Sequence, residues 1–188
     1  MSFKLQGRRQ MLSNSVFEVY FDAVGEDNAP ISVDDFLIVR PKVRVGIVGG
    51  VLVLPEADGK IGLMSGYRHQ FDRKIWQAPA GFLEPGEAVE HTALRELREE
   101  TNLTCAPGNL EPLGELLPDA GLIDATVSLF VAKDCTMISG DASEPEPGTG
   151  TLTFFDAPSL KSLVLDERFI GSATIAACTR WLLTRMAL

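Results

Sequence analysis

Histidine, cysteine and cationic side chains are all scarce in this 188-residue sequence, and each shortage closes off a kind of chemistry. The three cysteines, Cys105, Cys135 and Cys178, are odd in number, widely spaced and without a C-x-x-C pair. Neither a disulfide framework nor a thiolate zinc site is expected of them, and a reducing cytoplasm is the expected compartment. His69 and His91 are the two histidines; His91 falls on the polar face of an expected helix, so histidine has little part in any acid–base chemistry here. Lysine and arginine total 17 against 26 aspartates and glutamates, a formal net charge of −9. Nucleic-acid binding is therefore not expected, because it takes basic side chains to displace counterions from many phosphates. An acidic protein that handles phosphates needs cations as go-betweens. Long apolar runs are missing too: stretches such as VGIVGGVLVL are far too short to span a bilayer, and MSFKLQGRRQ at the start lacks the apolar core of a targeting segment. No membrane association is expected.

What is present reads as a folded protein. A hydrophobic content of 45% with 23% charged residues supports a buried core, and the length suits one domain with an N-terminal extension. The extension is expected over residues 1–40 and the main domain over 41–188. VFEVYFDAV (16–24) and DDFLIVRPKV (34–43) alternate and are rich in β-branched and aromatic residues, which predicts strands separated by the turn-rich GEDNAPIS. Residues 43–68 read as a hairpin around PEADGK. Val89, Ala93 and Leu97 recur at four-residue spacing, which predicts a helix over 87–101. Two further strands are expected around the Pro-Asp-Ala-Gly loop at 118–121, and MISGDASEPEPGTG (137–150) reads as a surface loop. A last strand over TLTFF follows, then a helix capped by Asp156 or Ser159, and an apolar-faced helix closes the chain. Strands, a central helix, more strands and a closing helix predict an α/β/α sandwich with a mixed sheet.

The central helix poses a problem. Glu96, Glu99 and Glu100 crowd its last turns, where the helix dipole already concentrates partial negative charge, and each acid there costs roughly 0.3–1 kcal/mol. Spaced i, i+3 and i+4, their carboxylates share one face and repel one another. A divalent cation such as Mg²⁺ or Mn²⁺ reverses that sign, since hard cations take carboxylate oxygens and commonly arrive with phosphate. A solvated acidic face paired with Arg95 and Arg98 is the plainer alternative.

The surrounding spacing decides between them. Gly81, Glu87, Arg95-Glu96-Leu97, Glu99-Glu100 and Leu103 match eight of the nine defined positions of the Nudix box, G-x5-E-x7-R-E-U-x-E-E-x-G-U with U apolar. Asn102 stands where the box has glycine, a mild change, because asparagine tolerates the left-handed conformation that often follows a helix. YRHQFDRKIWQAPAGFLEPGE (67–87) and Pro118, fifteen residues after Leu103, resemble the ADP-ribose pyrophosphatase branch of Nudix hydrolases. The branch's usual glutamine is Gly66 here, and its usual Glu-Leu is Gln77-Ala78.

That resemblance implies a Nudix-type fold over 41–188, with the N-terminal β extension pairing two copies as a homodimer. It implies divalent-metal-dependent hydrolysis of a nucleoside diphosphate sugar, with ADP-ribose going to AMP and ribose 5-phosphate. GDP-mannose or UDP-glucose is the alternative substrate, and a non-catalytic nucleotide-sensing module a lesser one. Metal ligands are expected at Glu96, Glu99, Glu100 and the carbonyl of Ala80, with Arg95 orienting the acids. Arg68, Gly81, Phe82 and Pro118 are expected to line the substrate site. A metal-ligating glutamate is a poor proton acceptor, because the cation depresses its pKa. A carboxylate outside the cluster is therefore expected as general base, and the resemblance, in which it is a glutamate of the loop before the next strand, implies Glu146 ahead of Glu144.

Overall fold

A computed structural model describes residues 3–27, 29–138, 150–167 and 170–185. Two sheets carry most of the strands. The first is an antiparallel three-stranded sheet of β1 (Phe3–Ser13), β2 (Phe17–Glu26) and β3 (Val33–Pro41), in that order. The first of these strands escapes a pattern-based reading for a simple reason. Its residues are almost all exposed, so no buried face imposes a period of two.

The second sheet is built on β4 (Val48–Ala57), β5 (Lys60–Arg68), β9 (Leu110–Leu116), β10 (Thr126–Ala132) and β12 (Thr151–Phe155), in the order β12-β5-β4-β10-β9. Short β6 (Arg73–Gln77) pairs with β5, and β7 (Ala80–Phe82) pairs with β4. β10 runs parallel to β4 while the other pairings are antiparallel, so the sheet is mixed. Central β4 is buried along nearly its whole length, as expected of a strand covered on both faces.

Helices cover both faces. Val51 and Val53 of β4 and Phe130 of β10 meet Ala93 and Leu97 of α1 (Val89–Thr101), together with Leu103 of β8 (Leu103–Thr104). On the other face Leu52, Leu54, Leu129 and Val131 meet Leu160 of α2 (Ala157–Asp166) and Ala177, Cys178 and Trp181 of α3 (Ser172–Arg185). This is the α/β/α sandwich expected. A two-residue strand, β11 (Thr136–Met137), pairs with β8. Asp156 caps α2, its side chain accepting from the Ser159 N–H at 2.9 Å.

The β4–β5 turn is tighter than PEADGK suggests. β4 runs on through Pro55 and Glu56 and turns at Asp58 and Gly59, both at positive φ. Glu56 holds the strand in line: it is buried, takes the Trp181 indole N–H at 2.9 Å and Arg185 at 2.6 Å, and its carbonyl accepts from the Cys135 N–H at 2.9 Å.

The three-stranded sheet meets the sandwich along one seam. Val39 exchanges backbone hydrogen bonds with Leu122 and Asp124 at 2.9 and 3.0 Å, Arg40 donates to Asp124 Oδ2 at 2.7 Å, and Phe17 sits edge-on to Phe82 with centroids 4.9 Å apart.

Candidate active site

The acids sit where α1 ends beside β7. Helix α1 starts after Ala88 and stops at Asn102, whose N–H still makes the helical bond to Arg98 O at 2.9 Å and whose left-handed backbone (φ 56°) then turns the chain out of the helix. Asparagine thus does the work of the expected glycine. Inward-facing Ala93 and Leu97 fix the helix against the sheet, so residues one position on either side of Leu97 lie at the rim of the buried face.

Arg95 organises that rim. Its Nη1 donates to Glu96 Oε1 at 2.7 Å and to Glu99 Oε2 at 3.0 Å, its Nε to Glu87 Oε1 at 3.1 Å, and its Nη2 to Glu87 Oε2 at 3.2 Å and Phe82 O at 3.1 Å. One planar guanidinium thereby ties three carboxylates and a strand carbonyl into fixed relative positions. Burial works against the Arg95 charge, but Glu87, Glu99 and Glu96 outweigh it and the pKa is raised, so Arg95 stays cationic.

Glu87 belongs to the loop as much as to the cluster. Besides Arg95 it accepts from the Thr92 hydroxyl at 2.8 Å and, weakly, from the Glu84 N–H at 3.4 Å. Its pKa is lowered, chiefly by the Arg95 hydrogen bonds, against a smaller opposing effect of burial. Thr92 is a participant that pattern reading misses: it is fully buried on the helix, where a single hydroxyl gives no hint of its tie to Glu87.

Glu96 is buried, and it explains Gly81. A Cβ on Gly81 would overlap the Glu96 carboxylate, so glycine on β7 is what leaves room for that acid against the strand. Glu100 reaches the same strand, its Oε2 accepting from the Ala80 N–H at 3.1 Å. The tie between Ala80 and Glu100 thus runs through the Ala80 amide. Glu96, Glu99, Glu100 and Ala80 are therefore brought together around the end of β7.

By donor chemistry this set suits a hard divalent cation, since every candidate ligand is an oxygen and Gly81 leaves space for the closest approach. Among the described residues, no three histidine, cysteine, aspartate or glutamate side chains stand gathered as a ready-made metal cage. Arg95 draws Glu96 and Glu99 to itself while Glu100 turns to β7.

Arg68 closes β5, and its guanidinium donates to the side chain of Gln77, next to the Ala78-Pro79-Ala80 bend. Gln77 is a second partner that pattern reading misses as such, visible only once β6 folds back on β5. Phe82 and Pro118 share an apolar cavity of about 200 Å³ with Phe17, Gly50 and Ile123. A second cavity of about 390 Å³ lies against Arg95 and Glu96 and is lined also by Phe82, Glu84 and Lys42. Trp76 is core: it packs on the α2–α3 side and meets Phe155 edge-on at 5.1 Å. Glu144 and Glu146 lie outside the described residues.

Comparison with known proteins places these features in context. The family model described as NUDIX domain matches residues 46–146. Over 136 residues the chain is 32% identical to a protein of Bacillus subtilis (strain 168) named ADP-ribose pyrophosphatase, covering 72% of this chain and 68% of that one. Over 168 residues it is 30% identical to a protein of Bacillus methanolicus named methanol dehydrogenase activator, covering 89% and 86%. A crystal structure of an ADP compounds hydrolase superposes on 100% of this chain and 98% of its own with a TM-score of 0.77. At 19% identity that likeness speaks for the fold.

Proposed function

The chain belongs to the NUDIX domain family, and from that premise we propose that it hydrolyses the diphosphate of a nucleoside diphosphate sugar, converting ADP-ribose to AMP and ribose 5-phosphate. The observation that carries this reading is the Arg95 cluster: Glu87, Glu96 and Glu99 held by one guanidinium while Glu100 is tethered to β7. Acids gathered at such electrostatic cost are best explained by a cationic ligand.

Glu96, Glu99, Glu100 and the backbone at Ala80 would hold Mg²⁺ or Mn²⁺. Once bound, the cation would neutralise charge on the diphosphate and make a water more acidic. The chain's own groups supply the rest. Arg95 keeps Glu96 and Glu99 oriented, and Thr92 and Arg95 together hold Glu87 against the loop. Arg68 offers a phosphate contact from the end of β5. Its partner here is neutral Gln77, where the related branch usually has glutamate, so that side chain does not cancel its positive charge. The apolar cavity at Phe82 and Pro118 suits the uncharged parts of the substrate. Glu146 is assigned as general base, taking the proton of the attacking water, on sequence grounds alone.

The three-stranded sheet is assigned to subunit pairing. Phe3, Leu5, Met11 and Leu12 of β1 and Phe36 and Leu37 of β3 are exposed, more apolar surface than a small free-standing sheet normally leaves in water.

The decisive experiment incubates the protein with Mg²⁺ and, separately, ADP-ribose, GDP-mannose, UDP-glucose and NADH, and identifies products by chromatography. AMP and ribose 5-phosphate from ADP-ribose, with much slower turnover of the others, is expected. Preferential cleavage of GDP-mannose or UDP-glucose would move the assignment to that sugar nucleotide, and no turnover of any would overturn the hydrolase reading.

A further inference from the structure

The short β8–β11 ladder, which follows the end of α1, is flanked by a pair of thiols that take no part in the Arg95 hydrogen bonds. Thr104 pairs with Thr136 and Leu103 with Met137. Continued by one residue, the same antiparallel register sets Cys105 opposite Cys135. At the other end of the ladder the Ile138 N–H donates to Asn102 O at 3.0 Å, which makes Asn102 and Ile138 a hydrogen-bonded position. Such positions alternate with non-hydrogen-bonded ones along an antiparallel ladder, so Leu103/Met137 and Cys105/Cys135 take the non-hydrogen-bonded places. There the Cα atoms of facing residues lie about 4.5 Å apart and side chains are closest, within the range a disulfide spans.

Side-chain direction agrees. Leu103 points into the core, Thr104 outward, and both Cys105 and Cys135 pack against the α1-side cluster that contains Leu103. Cys105 is half-buried and Cys135 buried, its thiol donating to Ala132 O at 3.1 Å. Cys178 lies in the other core cluster, across the sheet.

We propose that Cys105 and Cys135 form an oxidative modification site, a cross-strand thiol pair that a peroxide converts into an intramolecular disulfide. Cys105, the more accessible, reacts first: its thiolate attacks one peroxide oxygen, the O–O bond breaks, and Cys105 becomes a sulfenic acid with release of water. The Cys135 sulfur then leaves Ala132 O and attacks the Cys105 sulfur. The S–O bond breaks, and the departing hydroxide takes the Cys135 proton to give a second water. Two thiols lose two electrons and one peroxide gains them. The product ties the residue just after β8 to the residue just before β11, and so closes one end of the short ladder that follows α1.

Reactivity is damped in the resting protein. Burial raises Cys105, and burial pushes Cys135 up to about 12 against a smaller lowering by its backbone neighbour Glu56, so thiolate is rare near neutral pH. Bond formation should therefore accelerate by roughly tenfold per pH unit between about pH 7 and pH 9.

The test treats the full-length protein with hydrogen peroxide at about pH 8.5, removes the peroxide, unfolds the protein in guanidinium, blocks remaining thiols with iodoacetamide and maps peptides by mass spectrometry. The expected product has lost two hydrogens, contains a Cys105–Cys135 peptide and retains an alkylatable Cys178. Its melting temperature should rise by on the order of 5 °C and fall back with dithiothreitol. Cys178→Ala should cross-link like wild type, whereas Cys105→Ala should keep two alkylatable thiols under the mildest conditions that cross-link wild type. Survival of all three thiols, oxidation of Cys105 to a sulfinic acid without a cross-link, or a bond between two chains would each overturn the proposal.

Discussion

Two glycines of the site look alike in sequence and should behave oppositely on mutation. A Cβ on Gly81 meets the far end of the Glu96 side chain, which can swing aside, whereas a Cβ on Gly50 sits 2.9 Å from the Gly81 carbonyl oxygen, which is backbone. Gly81→Ala should therefore leave the melting temperature nearly unchanged while displacing Glu96 and lowering kcat by on the order of a hundredfold. Gly50→Ala should strain the β4–β7 pairing and lower the melting temperature instead. Thermal melts and steady-state kinetics on both variants separate the two effects. Glu100→Gln should fold and keep less than about a tenth of wild-type turnover under saturating Mg²⁺; a larger residue of activity would remove Glu100 from the metal set. For the base, Glu146→Gln should lower kcat by on the order of a hundredfold, the usual size of general-base effects, and Glu144→Gln by much less. Reversed losses would move the base to Glu144.

At the scale of elements, the loop before α1 and the first half of that helix are joined mainly through Glu87. Its folded pKa lies below the ordinary glutamate value of about 4.3, so its contribution is present above that value and is lost as pH falls through the lowered one. Glu87→Gln should lower the melting temperature by a few degrees near pH 7, and the gap from wild type should shrink as pH falls through the lowered Glu87 pKa and both side chains become neutral. Melts of the two proteins across that range measure it, and a gap independent of pH would mean that Glu87 acts by shape alone. Why α1 could be read from sequence, while parts of its setting could not, follows from the range of the interactions. Helical spacing fixes which residues share a face, so Glu96, Glu99, Glu100 and Arg95 were legible as a group, and Asn102 as the helix stop. The overlap of Gly81 with Glu96, the hold of Gln77 on Arg68 and the extension of β4 through Glu56 depend on partners 9 to 129 residues away, which no local pattern records. β1 went unread because a strand exposed on nearly all its residues carries no alternation to read.

For the molecule as a whole, the question is what a sheet with so little to bury is doing. β1 is eleven residues long and forms an outer edge of its sheet among the described residues, with exposed Phe3, Leu5, Met11 and Leu12. A protein left in this form would carry an aggregation-prone edge, and covering it with a second copy is the simplest remedy. The sheet is not loosely attached, since Val39 is bonded into the 122–124 segment and both Arg40 and Arg44 pair with Asp124. Phe17 also reaches Phe82, beside the apolar cavity at the site. Losing the sheet should thus be felt at the substrate, not only in stability. Light scattering of the full chain should give twice the monomer mass. The chain lacking residues 1–40 should be monomeric and bind substrate more weakly, with KM rising more than kcat falls, because the Arg95 hydrogen bonds to Phe82, Glu87, Glu96 and Glu99 and the Glu100 tie to Ala80 do not involve the removed residues. A full-length monomer with full activity would remove the pairing role. A truncated protein with unchanged KM would show that the sheet pairs subunits without touching the site.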